Sequence, residues 1–367
     1  MKEYLKKHFI NARGKSTSKK VLVIESDDWG SIRIPNKEAQ QYLLNEKLIK
    51  ITDPFSAYDC LENANDLETL FELLRSHKDK FGNHPIITVN MVMANPDFTK
   101  IKTNQFQSFY LESFAKTYDN YYPNQQTFEV LKKGIKQKLI YPQFHAREHL
   151  NALQWLKRLQ NGDERFLKAF DVNCFAIDDL DKGNNRANLM ASYDYQNEEE
   201  LDFVKKSIVE GLKLFEQTYG FTSKTTIAPC YVWNDSIEKI FKEAGVKSLQ
   251  SSYIQQNKHT NKHERIWQKT GKTNQYQQKY FVRNVLFEPA TNHKTNWVEK
   301  AIESIEIAFF WGKPAVIGSH RINYVSGLSK ENRDCNLKQL NELLKRVLIK
   351  WPDIEFINSE QLLELYS

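Results

Sequence analysis

The chain has 367 residues, 40% hydrophobic and 13% aromatic, which supplies a sizeable core and argues against wholesale disorder. With 52 Lys+Arg against 46 Asp+Glu, the formal charge of +6 is too mild for a dedicated nucleic-acid binder. No apolar run reaches the roughly 18 residues of a membrane span. Residues 1–20 are basic but lack the apolar stretch of a secretory signal. Cys60, Cys174, Cys230 and Cys335 stand too far apart for a disulfide framework or a thiolate zinc site. The expectation is a soluble, reduced, cytoplasmic α/β protein.

After a basic N-terminal extension (1–18), the run 21–24 (VLVI) ends in Glu25-Ser26-Asp27-Asp28-Trp29-Gly30. An apolar run without alternation suggests a strand buried on both faces, as in a parallel sheet. Comparable runs lie at 85–93, 138–144, 172–177, 225–229, 281–287, 315–319 and 354–357. Helical patterns separate many of them. Leu201, Val204, Ile208, Leu212, Phe215 and Tyr219 step by three and four before Gly220, a C-terminal stop. A second helix starts at Asn234-Asp235, where Asp235 and Glu238 have capping-box spacing, and stops at Gly245. A third carries Leu337, Leu340, Leu344, Val347 and Trp351 and then meets Pro352. Strand alternating with helix over residues 19–367 implies a parallel sheet, and seven or eight such units close into a barrel more readily than they stay open. Two insertions interrupt the pattern, a mostly helical one near 35–80 and a polar one near 255–280, expected as a solvated loop or short ribbon.

Ligands and catalysis gather at the C-terminal ends of parallel strands. Asp27-Asp28 ends the first strand, and His145 ends the third with His149 four residues on. Ala228–Asn234 leaves another strand, and Ser319-His320-Arg321 ends a late one. Two imidazoles and a carboxylate form a common divalent-metal site with open positions. A further carboxylate suits a general base and a separate histidine a general acid. Alone, an Asp-Asp pair is often only a helix cap and HxxxH an ordinary surface pair; three such clusters, each at a strand end, point to one site. His259-xxx-His263 lies among lysines and asparagines and reads as solvated loop. Asp179–Gly183 fails as a calcium loop, lacking the required oxygen ligand at Gly183 and glutamate at Met190. His145-Ala146-Arg147-Glu148-His149 also matches H-x-x-E-H, a zinc-peptidase motif that needs a helix. The strand-like lead and Pro142 oppose one.

Taken in order, Asp27-Asp28, His145/His149, Pro229–Asn234 and His320 resemble the polysaccharide deacetylase family (carbohydrate esterase family four, NodB-type fold), over about 19–367. The resemblance implies a distorted (β/α)7-type barrel and one divalent metal, most often Zn²⁺. Asp28, His145 and His149 would be its ligands. Asp27 would be the base that takes a proton from the attacking water, and His320 the acid that protonates the departing sugar amine. A backbone N–H near Tyr231 would help hold the oxyanion. Trp29, Tyr231 and Trp233 would offer faces to a sugar ring, or equally serve as packing at the barrel rim, and Arg147 and Arg321 would give polar contacts. Glu25-Ser26 stands where the family has Thr-Phe. Ile227 stands where it has the arginine that tunes the base, leaving Arg147, Arg283 or Arg321 to replace it. Glu288 is the only stand-in for the Asp-rich motif. The expected activity is metal-dependent removal of an acyl group, N-acetyl first, from a carbohydrate, with no nucleic-acid partner. A barrel that binds carbohydrate without turnover, and the zinc peptidase, are the alternatives. The Lys-rich N-terminus, with 7 Lys/Arg in residues 1–20, reads as solvated surface.

Overall fold

A computed structural model describes residues 2–177, 189–259 and 262–367. Its centre is one curled, all-parallel sheet. The strands are β1 (Val21–Trp29), β2 (Ile87–Val92), β3 (Ile140–Ala146), β4 (Thr225–Thr226), β5 (Ser248–Ser251), β6 (Lys279–Val282), β7 (Val285–Leu286), β8 (Ala315–His320) and β9 (Glu355–Phe356). The order is β6-β5-β4-β3-β2-β1-β8-β7, and β9 pairs with Val21 and Leu22 of β1 before β2 joins at Ile24. Helices surround the sheet, giving the expected barrel-like α/β fold. Among the described residues no ladder joins the edges β6 and β7, so the barrel is open. Only Arg283 and Asn284 separate those two strands in the chain.

The period-2 rule explains what each strand presents. On β1, Leu22 and Ile24 belong to the main core beneath the helices. Val21 and Val23 instead join Phe281 of β6, Val316 of β8 and Leu362 of the helix Ser359–Leu365. This second set fills one end of the barrel interior. Glu25 and Asp27 continue the inward parity. The middle of the interior is polar: Asn90 (β2) donates to Asp27 Oδ1 and Gln250 Oε1 (β5), at 2.7 and 2.8 Å, and Gln250 donates to Thr225 Oγ1 (β4).

Most expected strands are present. The stretch 172–177 is not one: Val172 caps the helix Glu164–Asp171, and Phe175 and Ala176 pack in a side cluster with Trp155 and Phe170. The run 281–287 is split, its pieces lying on opposite sheet edges. The polar insertion forms an antiparallel ribbon, Ile254–His259 with Lys262–Trp267, so His259 lies on a strand and not in a loop. The calcium-loop stretch Asp179–Gly183 lies outside the described residues. The helix Asp235–Glu243 is capped by Asn234 Oδ1, which accepts from the Ile237 N–H. Glu238 bonds Trp233 and Tyr280 and makes no capping box. The N-terminal extension forms the helix Lys2–Asn11, laid along the helix Trp297–Phe310 through Lys7–Glu303 and tied to the β6–β7 junction by Asn284 Nδ2, which donates to Asn11 Oδ1 at 2.7 Å. No described helix is long and apolar enough to cross a membrane.

Candidate active site

The expected clusters meet at one mouth of the barrel. Asp27 arrives there by the inward parity of β1. Asp28 should then face the helices, yet its φ of +74° and a register slip against β2 between Ser26 and Trp29 turn its carboxylate into the same mouth. A non-glycine residue in left-handed backbone is strained, and such strain persists where the surroundings enforce it. His145 is the penultimate residue of β3, and its Nδ1–H donates to the Ile227 carbonyl at 2.8 Å, which leaves Nε2 as the free ligand atom. His149 follows on an irregular turn; the next helix begins only at Ala152.

Asp28, His145 and His149 are buried, and one ligand atom from each lies within 4.8 Å of the others. Both Nε2 atoms approach Asp28 Oδ1, His149 at 3.3 Å and His145 at 3.4 Å. With metal–ligand bonds of about 2.1 Å, those separations would let one ion reach Asp28 Oδ1 together with either imidazole. Burial pushes the His149 imidazole down to about 4, against the opposing pull of Asp28, so it is neutral as a metal ligand must be. Burial would raise the Asp28 carboxyl, but His149 and His145 hold it well below the ordinary range. The donor set fits a divalent cation with positions left open.

Two acid–base groups flank the triad. Burial alone would raise the Asp27 carboxyl; Arg283 overrides it and holds the group down to about 2. The contact is bidentate, Nη1 to Oδ2 at 2.6 Å and Nη2 to Oδ1 at 2.7 Å, while Nε of the same guanidinium reaches Glu25 Oε2 at 2.7 Å. Of the three arginines expected to replace the one missing at Ile227, Arg283 is the one in contact with Asp27. The two departures on the sequence, Glu25 before the Asp pair and the displaced arginine, form one buried unit. Gly318 makes room for it: a Cβ there would stand 2.9 Å from Arg283 Cδ. On the other side, burial works against a charged His320, but Glu288, 2.5 Å from Nδ1, raises it to about 10. His320 Nε2 lies 3.8 Å from Asp27 Oδ2. Glu288 is itself fixed by Asn323 Nδ2 at 2.7 Å. The pocket over these groups measures about 210 Å³ and is also lined by Arg33, Phe55, Cys230 and Tyr231. A larger groove, about 520 Å³, lies between the helices Trp297–Phe310 and Lys330–Lys350, among Arg346–Glu299 and Lys350–Glu306 pairs and far from any of this chemistry.

The structure corrects several residue assignments. Trp29 is buried, donates its indole N–H to Ser26 Oγ at 2.9 Å and stacks on Tyr324, so no sugar face is available. Trp233 is buried with its N–H on Glu238. Arg147 turns from the mouth into ion pairs with Glu148 and Glu210. Arg321 is fully buried against Asp59, Glu62 and the Ser31 carbonyl. Of the five expected substrate contacts only Tyr231 lines the pocket. Its backbone N–H is already bonded to the Ala228 carbonyl at 3.0 Å and is not a free oxyanion donor. Glu148, the base of the peptidase reading, bonds Arg147 and Ser207, and no helix carries the two histidines. Arg33, Phe55 and Asn90 carried no sequence signal, being isolated residues in a loop, a short helix and a strand.

No protein-family model matches the chain, and no curated protein sequence does. Among solved structures it is similar to 4-alpha-glucanotransferase from Thermococcus litoralis, with a TM-score of 0.47 and 9% identity over 95% of this chain and 40% of that one. It therefore spans less than half the length of that enzyme. It is also similar to a polysaccharide deacetylase structure from Mycobacterium smegmatis (TM-score 0.43, 9% identity, 96% and 92% covered). A third similar structure is the GH57-type branching enzyme from Pyrococcus horikoshii (TM-score 0.47, 10% identity, 95% and 70% covered).

Proposed function

We propose that the protein is a metal-dependent hydrolase that removes an acyl group, N-acetyl first, from a carbohydrate. The observation that carries this is an acid–base pair held in opposite charge states beside the ligand triad. Asp27 is ionised by Arg283, and His320 is protonated by Glu288. The divalent ion, zinc by its two-imidazole, one-carboxylate donor set, would be held by Asp28, His145 and His149 and would polarise the acyl carbonyl and lower the pKa of water. Asp27 takes the proton of the attacking water as its oxygen bonds to the acyl carbon. The C–N bond then breaks, and His320 gives its proton to the departing amine, leaving a carboxylic acid and a free amine. Arg283 and Asn90 fix Asp27, and Glu288 fixes His320. The carbohydrate assignment rests on the resemblance in motif order. Arg283 removes the main ground for the non-catalytic reading, since the arginine missing from its usual place is supplied elsewhere.

Acetate release from N-acetylated sugars, measured with the metal content of the same samples, tests this. Asp27→Asn should keep the metal and lose about 10²–10⁴-fold in rate, while Glu148→Gln should be far less affected. A dead Glu148→Gln beside a nearly normal Asp27→Asn would refute the mechanism. Glycan binding without turnover by the parent would favour the non-catalytic barrel.

A further inference from the structure

A second pocket, about 340 Å³, adjoins the first and shares Tyr231 and His320 with it. Its floor comes from the β6–β7 seam, and its roof from the helix Lys2–Asn11, which supplies Lys6, Lys7 and Ile10. The sharing of His320 orients the two spaces. Asp28, His145 and His149, where the acyl carbonyl would bind, line the smaller of these two pockets and not the larger. His320, which would protonate the leaving amine, borders both. On the hydrolase reading, the amine-bearing part of the substrate must therefore extend past His320 beneath the N-terminal helix.

The lining says what that part carries. Tyr253, Trp297 and Leu286 give apolar and aromatic surface, suited to the C–H face of a sugar ring. Lys6 and Lys300 are exposed at the mouth. Among the described residues Lys6 has no carboxylate within 4.0 Å and lies 4.5 Å over the Tyr253 ring, and Lys300 meets Glu3 only at 3.9 Å. Lys7 is already neutralised by Glu303, and Glu288 is turned to His320. Glu3 also lines the pocket and is shared with Lys300, so the charge left over at the entrance is the single positive charge of Lys6. We infer that this pocket binds the leaving portion of the substrate as an anionic sugar, one bearing a phosphate or carboxylate, with Lys6 and Lys300 as its counter-charges. The inference rests on the proposed hydrolase reading for its orientation, but the binding itself can be read without turnover.

The experiment compares N-acetylglucosamine with its 1-phosphate and 6-phosphate, using the full chain, Lys6→Glu, Lys300→Glu and the milder Lys6→Gln. By calorimetry on Asp27→Asn protein, a phosphorylated sugar should bind more tightly than the neutral one and weaken as NaCl rises from 50 to 300 mM. Each charge reversal should cut the preference for the phosphorylated sugar about tenfold, with metal content equal to the parent's. Lys6→Gln should have a smaller effect in the same direction. In acetate release, the same loss of preference should appear in KM. Equal binding of neutral and phosphorylated sugars, or a preference untouched by both reversals, overturns the inference. If no acetate is released by the parent while phosphorylated sugars still bind in a Lys6-dependent way, the anion pocket stands and the hydrolase reading falls.

Discussion

Replacing Arg283 with Met tests the charge arrangement directly. One guanidinium neutralises two carboxylates, Glu25 at 0% and Asp27 at 4% exposure, through three hydrogen bonds of 2.6–2.7 Å. The variant leaves Glu25 with only the uncharged Ser359 Oγ, and Asp27 with Asn90 and the more distant His320 Nε2 at 3.8 Å. Removing one partner of a buried pair costs about 3–5 kcal/mol, a large part of a typical folding free energy of about 5–15 kcal/mol. The structure also dictates a non-additive second step. Glu25→Gln in the Arg283→Met background removes the carboxylate left with no cationic partner, so the double variant should be more stable than the sum of the singles by about 1–3 kcal/mol. Urea unfolding followed by far-UV circular dichroism measures the cycle. An Arg283→Met loss below about 1 kcal/mol, or additivity within about 0.5 kcal/mol, would refute the argument that Glu25, Arg283 and Asp27 act as one unit.

On the proposed ligand set, His149→Ala should fail to bind the divalent ion and, with both proteins metal-free, unfold at the parent's urea midpoint, since the ligands sit at the mouth and not in the core; stoichiometric metal in the variant, by atomic absorption, would disprove the ligand set. Gly211 lies in the long helix Glu198–Tyr219, where a Cβ would stand 2.7 Å from the Phe144 ring and 2.8 Å from Arg147 Cβ. Gly211→Val should therefore destabilise by about 1–3 kcal/mol despite the removal of a helical glycine, and a raised urea midpoint would contradict that packing. The Cys60 and Cys174 thiols are buried, and burial pushes each up to about 12; native alkylation at pH 8 should label exposed Cys335 and spare these two until denaturant is added, as peptide mass spectrometry would show.

What was legible on the sequence follows from where each residue points. Residues 21–24 read as a strand because both faces are buried against apolar neighbours, and Asp27-Asp28, His145, His149 and His320 read as a site because each follows such a run. Ser248–Ser251 gave no strand signal: Gln250 faces a polar barrel interior, so the strand has no apolar pattern. Conversely 172–177 is apolar because it packs beneath helices, and an apolar run alone does not separate that case from a strand. Trp29 and Trp233 looked like sugar platforms on residue type, but each indole N–H has an internal partner, the usual state of a buried tryptophan. Arg283 could be named only as one of three candidates, because its contact with Asp27 spans 256 residues of chain and leaves no local mark.

The position of β1 in the sheet has a consequence during synthesis. Its one flank pairs with β2, but the other waits for β8, whose first residue is Ala315. At about 5–20 residues per second, roughly 15–60 s of translation separate the two strands. Throughout that interval the VLVI segment presents an unpaired, apolar strand edge, the kind of surface that recruits other nascent chains. The same order of synthesis brings Arg283 and His320 to Asp27 only late, after most of the sheet's strands have been made. Yield in a cell should accordingly depend on whatever shields that edge, and slower synthesis should lower it.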